Sequence, residues 1–191
     1  MGDKNLQVAH ADNLNNIINI TIINNKNTEN SRIVKSDFSL NIEYYSLFVI
    51  DDEIFNDEYF FIEKERSLTI SEGVSPDIFN RFARLNENAI LQIKTFPSLF
   101  ASENHQYGRT DSDHQAYFGI VNDIKIQENS LKIYFQKLSS IPQQRLNEIA
   151  PNLAIKGSSF LNELNRTHWT IKKINLVKEL CDAGFKGIIS A

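Results

Sequence analysis

Cysteine is almost missing from this chain: Cys181 is the only one in 191 residues. That excludes an intrachain disulfide and a cysteine-built zinc site, and it fits a reducing compartment. Four prolines and seven glycines are too few for a collagen-like, linker-like or low-complexity chain. No apolar run nears the roughly 18 residues that cross a bilayer as a helix. Met1 to Asp12 lacks the apolar segment of a signal peptide. The expected location is therefore the cytoplasm, with no membrane partner. Charge of one sign is lacking too. Twenty Lys and Arg against 24 Asp and Glu leave a net charge of −4, which provides no long-range field for a polyanion.

Thirteen Phe, six Tyr and many Ile are present instead, and they favour strands over helices. With 41% hydrophobic and 23% charged residues the composition is that of a soluble globular chain, long enough to bury one core without covalent staples.

Residues 1–36 stand apart: nine of the first thirty residues are Asn, and no aromatic residue precedes Phe38. This N-terminal segment contains one strand pattern, Asn16 to Asn24, with Ile18, Ile20 and Ile22 on one face. Its flanks are polar and turn-rich. Such a strand needs a pairing partner, either within the domain or in another copy or partner chain by strand addition. Residues 37–191 read as one α+β domain.

In that domain, Phe38, Leu40 and Ile42 alternate. Tyr45 to Ile50, Tyr59 to Ile62 and Leu68 to Ile70 follow as strands. Between them, Asp51, Asp52, Glu53, Asp57 and Glu58 read as a solvated turn rather than a metal site. Ser75-Pro76-Asp77 opens a helix with Ile78, Phe79, Phe82 and Leu85 on its apolar face. Ala89 to Thr95 reads as a strand, with Ala89, Leu91 and Ile93 on one face. A long hairpin comes next: Phe118, Ile120, Ile124 and Ile126 point one way with Asn122 interrupting, and Leu131, Ile133 and Phe135 continue the buried face. Pro142 to Ala150 reads as a helix after a Ser140 cap, and Phe160, Leu161 and Leu164 as a short helix. Trp169 and Ile171 share one face of a strand. Asn175 caps a last helix that ends at Gly184 and holds Cys181 on its apolar side, buried and inert.

Two constellations carry candidate chemistry. The polar loop from Glu103 to Gln115 holds Glu103, His105, Arg109, Asp111, Asp113 and His114. Two His and a carboxylate suit a divalent metal, and His beside Asp suits an oriented general base. The spacing matches no metal or calcium motif, so the alternatives are a solvated connection and a ligand-binding loop. The second is Asn165-Arg166-Thr167-His168-Trp169. Arg166 and His168 either form a structural junction or, joined to the loop, one anion-binding wall. A third pattern is a basic stripe of Lys125, Lys132, Lys137, Arg145, Lys172, Lys173 and Lys178. Lys132 and Tyr134 sit on the outward face of the hairpin, as in barrels that hold single-stranded nucleic acid. No phosphate loop, dinucleotide fingerprint or nucleophile elbow occurs, so no cofactor, metal or catalytic residue is assigned.

Phe96-Pro97-Ser98-Leu99-Phe100, Ala116-Tyr117-Phe118-Gly119 and Leu164-Asn165-Arg166-Thr167-His168-Trp169-Thr170-Ile171-Lys172 together resemble a widespread bacterial domain family of uncharacterised function, over about residues 90–180. The resemblance implies no established activity. The Asn- and Ile-rich start resembles N-terminal segments of bacterial conflict and defence proteins, in which short strands mediate self-association.

The expected fold is α+β: a strongly bent antiparallel sheet or small β-barrel with three or four short packed helices. The expected function is a non-enzymatic bacterial recognition or adaptor module that self-associates or binds a partner protein through the N-terminal strand, in phage defence. The alternatives are an enzyme acting on nucleotides or nucleic acid through the His, Asp and Arg residues, and a barrel that binds single-stranded nucleic acid.

Overall fold

The computed structural model describes residues 6–8, 13–14, 17–24, 34–53 and 55–185. Near the start, β1 (Leu6–Val8) and β2 (Asn13–Leu14) pair antiparallel with the two ends of β3 (Ile17–Asn24). Along its other edge β3 pairs with β4 (Val34–Asn41) over its full length. The strand that needed a partner thus has partners on both edges within its own chain. The side chains of Ile18, Ile20 and Ile22 lie outside the described residues. The expected division after residue 36 falls inside β4, whose Leu40 is already part of the main core.

The remaining elements are β5 (Tyr45–Ile50), β6 (Tyr59–Glu63), α1 (Pro76–Phe82), α2 (Glu87–Ile93), β7 (Pro97–Ser102), β8 (Gln115–Ile126), β9 (Ser130–Pro142), α3 (Gln143–Glu148), β10 (His168–Lys172) and α4 (Leu176–Asp182). Six strands form one sheet in the order β10-β5-β7-β8-β9-β6. The fold is α+β. The sheet is strongly curved and does not close into a barrel. It is antiparallel except between β5 and β7, which run parallel. Their connection carries β6, α1 and α2.

Each face of the sheet buries its own core. On one, α1 and α2 add Ile78, Phe82, Ala89 and Ile93 to Phe48, Phe60, Phe100, Ile133, Phe135 and Trp169. On the other, Leu146 of α3, Leu176 and Leu180 of α4, and Leu153, Ile155 and Leu164 cover Leu47, Val49, Leu99, Phe118 and Ile120. No helix among the described residues is long and apolar enough to cross a membrane.

α1 starts where the sequence puts it, with the Ser75 hydroxyl accepting the Ile78 amide. Ala89 to Thr95 is not a strand. Asn86 caps α2 by accepting the Ala89 amide at 2.9 Å; Ala89 and Ile93, one turn apart, are buried, while Leu91 is 57% exposed. Leu68 to Ile70 is not a strand: Ser67 makes an isolated bridge to Trp169, the Leu68 amide donates to the Trp169 carbonyl, and Ile70 begins a 3-10 turn. The hairpin of β8 and β9 is present, but a bulge at Asn122 changes its face. Phe118 and Ile120 serve one core, Ile124 the other, and Ile126 is exposed. Ser140 lies within β9 and caps nothing, since α3 begins without a side-chain cap. Phe160 and Leu161 sit in an exposed loop before a single 3-10 turn, Glu163–Asn165. Cys181 is exposed, because α4 buries Leu176, Val177 and Leu180 and turns position 181 outward.

Candidate functional site

The loop that joins β7 to β8 folds on itself. Gln106 and Arg109 exchange both backbone hydrogen bonds, closing a two-residue turn over Tyr107 and Gly108. Gly108 has φ +60, a backbone region that favours glycine. A Cβ there would stand 2.2 Å from the Ser159 carbonyl oxygen. The turn can seat against residues 159–160 only because position 108 carries no side chain. The Gly108 amide donates to Asn165 Oδ1 at 3.1 Å, and Asn165 Nδ2 donates to the Gln106 carbonyl at 2.8 Å. Tyr107 and Phe160 then stack, 5.0 Å between centroids and 17° between planes.

Side-chain amides lock this arrangement to the body. Asn104 and Asn147 exchange two hydrogen bonds of 3.0 Å. Gln143 donates to Asn104 Oδ1 at 3.1 Å and to the Ser102 carbonyl at 2.8 Å. Asn162 donates to Asn147 at 2.9 Å and caps the 3-10 turn through the Leu164 amide. The end of β7, α3 and the 157–165 loop are thereby cross-linked. Gln143 Oε1 is buried without a partner among the described residues, but the other amide oxygens are paired, and a polar network of this kind restricts the loops to one geometry. Asn104, Gln143, Asn147 and Asn162 are functional residues that composition and spacing do not single out. Only the Asn162-x-x-Asn165 spacing, that of a capping box, carried a signal.

Between the two loops lies an open cleft of about 900 Å³. His105, Tyr107 and Arg109 line it from one loop, and Ser159, Phe160 and Leu161 from the other. Tyr107, Phe160 and Leu161 are 64%, 67% and 51% exposed. The Arg109 guanidinium makes no ion pair among the described residues.

Of the sequence candidates, His105, Asp111 and His114 come together. His105 Nδ1 lies 2.6 Å from Asp111 Oδ2, and the His114 ring stands edge-on to His105 at 4.4 Å. Burial, and then the neighbouring His105, hold the His114 pKa below the ordinary imidazole range, against Asp111, Asp113 and Gln143. Asp113 is exposed. Glu103 accepts the Thr167 hydroxyl at 2.7 Å, and Thr167 Oγ1 in turn accepts the Asp51 amide at 2.9 Å. The two predicted segments therefore meet, through Glu103 and Thr167, through the Asn104 amide and the Leu164 carbonyl, and through Asn165. Arg166 and His168 do not line the cleft. Arg166 pairs with the buried carboxylate of Glu72, which also holds Arg66 at 3.2 Å. His168 is in the core, with Nδ1 2.9 Å from the Arg166 carbonyl. Among the described residues no group of three His, Cys, Asp or Glu is placed to hold a metal ion.

The basic stripe does not assemble. Arg145, Lys173 and Lys178 pair with Glu148, Glu43 and Asp182. Lys172 is buried on Glu163, both of its contacts to that carboxylate lying within 2.8 Å. Only Lys125 and Lys132 share an outer face, on β8 and β9.

The buried His168 gives the fold a pH dependence. Burial holds its pKa below the ordinary range, against the Arg166 carbonyl and Glu163. The unfolded chain then binds the proton more tightly than the folded one, so stability falls as pH drops through about 6.5 toward the folded value. Urea midpoints measured between about pH 8 and pH 5 should decline on the acid side. His168→Gln should flatten part of that decline, and an unchanged slope would exclude His168 as its source. His114 contributes with the same sign.

Comparison of the chain with protein-family models, curated proteins and solved structures finds no match.

Proposed function

We propose that this chain is a non-enzymatic recognition module that binds a partner protein in the cleft between residues 104–109 and 159–161. Its setting in bacterial phage defence rests on the resemblances noted above. The observation that carries this reading is the stacked Tyr107–Phe160 pair, with Leu161 beside it. These are large apolar groups kept in solvent on loops that the amide network holds rigid. Exposed aromatic groups next to an arginine without an ion pair among the described residues are what binding hot spots are made of. Arg109 selects a carboxylate, so the partner segment presents an aromatic or aliphatic side chain next to Asp or Glu. Strand addition through Ile17–Asn24 is the weaker route, since both edges of that strand are paired in the chain.

Selection of a displayed peptide library on the immobilised full chain tests this. The enriched peptides should share an apolar residue flanked by an acidic one. A synthetic consensus peptide should bind Phe160→Ser and Arg109→Glu about tenfold or more weakly. Gly108→Ala, which forces the turn off Ser159, should weaken it as well. A peptide that binds all three variants like the parent, or no enrichment at all, would sink the proposal.

The His105–Asp111 pair favours a second reading, an enzyme acting on nucleotides or nucleic acid. Asp111 would orient the imidazole and leave Nε2 as a general base. Cleavage of single-stranded RNA that is lost in His105→Gln would support it.

A further inference from the structure

On the far end of the sheet one face is open. β6 is an end strand, and its Phe60 and Ile62 point into the core with Leu131 and Ile133 of β9. Tyr59 and Phe61 point the other way. In register with them across β9 stand Tyr134 and Lys132, and across β8 from these stand Asp123 and Lys125. Tyr59 lies 5.6 Å from Phe61 and 5.7 Å from Tyr134, ring to ring. Lys132 Nζ lies 3.5 Å from the Tyr59 centroid and 5.0 Å from that of Tyr134, and Lys125 Nζ lies 5.0 Å from Tyr134. Phe61 is 48% exposed.

Two features of this face are not those of a passive surface. Lys125 and Lys132 are directly opposed across neighbouring strands, which is unfavourable for like charges. Neither has an ion pair among the described residues. In addition, three aromatic rings neighbour one another on this strand surface, edge-on or tilted to each other, with those cations among them. An anion that also carries flat apolar rings satisfies both.

We propose that this face binds single-stranded nucleic acid, with bases stacked on Tyr59, Phe61 and Tyr134 and the backbone phosphates neutralised by Lys125 and Lys132. Asp123 and Glu63 bound the tract at its two ends, which limits it to two or three bases. Carboxylates beside the tract favour bases with an exocyclic amino group, so cytosine is favoured over thymine or uracil. This is a different surface from the cleft and does not depend on it.

Fluorescence anisotropy of labelled oligo(dC) and oligo(rC) with the full chain at low salt is the test, the two arms distinguishing DNA from RNA. Binding to at least one should be seen, and stronger than to oligo(dT). Tyr134→Ala and Phe61→Ala should each weaken it about tenfold. Tyr134→Phe, which keeps the ring, should bind like the parent. Changing Lys125 and Lys132 to Gln should reduce the slope of log K against log salt by roughly 0.7 per lysine. No binding of either strand at low salt, or binding indifferent to Tyr134→Ala and Phe61→Ala, would overturn the proposal. The near-ultraviolet signal of Trp169, on the other face of the sheet, reports whether each variant is folded.

Discussion

Replacing Lys172 by Met should destabilise the fold by about 3–5 kcal/mol, although the two side chains are nearly the same length. Lys172 is 5% exposed and its ammonium reaches both oxygens of Glu163, itself 4% exposed. Without the cation, Glu163 keeps a buried charge whose one remaining hydrogen-bond donor among the described residues is the Lys156 amide, at 2.8 Å. Adding Glu163→Gln removes that charge and leaves an oxygen for the Lys156 amide. The double variant should therefore recover most of the loss, to within about 1–2 kcal/mol of the parent, as replaced buried pairs do. Burial also lowers the Lys172 pKa, against the pull of Glu163. Urea unfolding of the parent, the single and the double variant would check the set. A single variant within about 1 kcal/mol of the parent would mean that water reaches the pair.

How much of this architecture the sequence disclosed depended on the kind of signal. Where alternation and end signals agreed, as in the β8–β9 hairpin, α1 with its Ser75-Pro76 start, and α4 with Asn175 before it and Gly184 after it, the elements are present. Where they conflicted, alternation misled. Ala89, Leu91 and Ile93 fit a strand and a helix equally in so short a run, and the Asn86 cap decided for the helix. Phe160 and Leu161 read as part of a short helix with Leu164, yet they lie in an exposed loop, held in solvent where Gly108 seats against residues 159–160. That outcome depends on tertiary contact, which no periodicity encodes.

The candidate site was legible in part for the same reason. Local polarity marked the 103–115 loop, and His105 and Asp111, six residues apart, do meet. Partners distant in sequence were not legible. Nothing near Arg166 announces Glu72, and nothing near Lys172 announces that it is buried against Glu163. The outward aromatic face was half visible, as Lys132 and Tyr134. Tyr59 and Phe61 join it only because β6 returns to pair with β9. Long-range strand order, the least local property of a fold, decides which surface exists.

Trp169→Ala should cost about 3–5 kcal/mol, a large share of the 5–15 kcal/mol that holds a domain folded. Trp169 is fully buried and stacks on Phe48 at 4.9 Å, and Phe48 stacks on Phe100 at 5.4 Å. These rings bridge β10, β5 and β7, so the cavity would open where the parallel pair meets the end strand. Trp169→Phe should cost much less than the lost volume suggests. The indole Nε1 is buried with no partner among the described residues, and removing it sheds an unmet donor worth about 1–3 kcal/mol while a ring remains to stack. Far-ultraviolet circular dichroism in urea would measure both, since Trp169 is the only tryptophan and fluorescence is lost with it. Equal losses for Phe and Ala would show that the indole N–H is satisfied by a bound water and that stacking adds little. The effect should also reach the cleft. Thr167, two residues before Trp169 in the chain, receives the Asp51 amide and donates to Glu103 at the root of the 103–115 loop. A loosened β10 would therefore weaken the consensus peptide in Trp169→Ala and spare it in Trp169→Phe, which links the packing of the sheet to the rigidity of the binding loops.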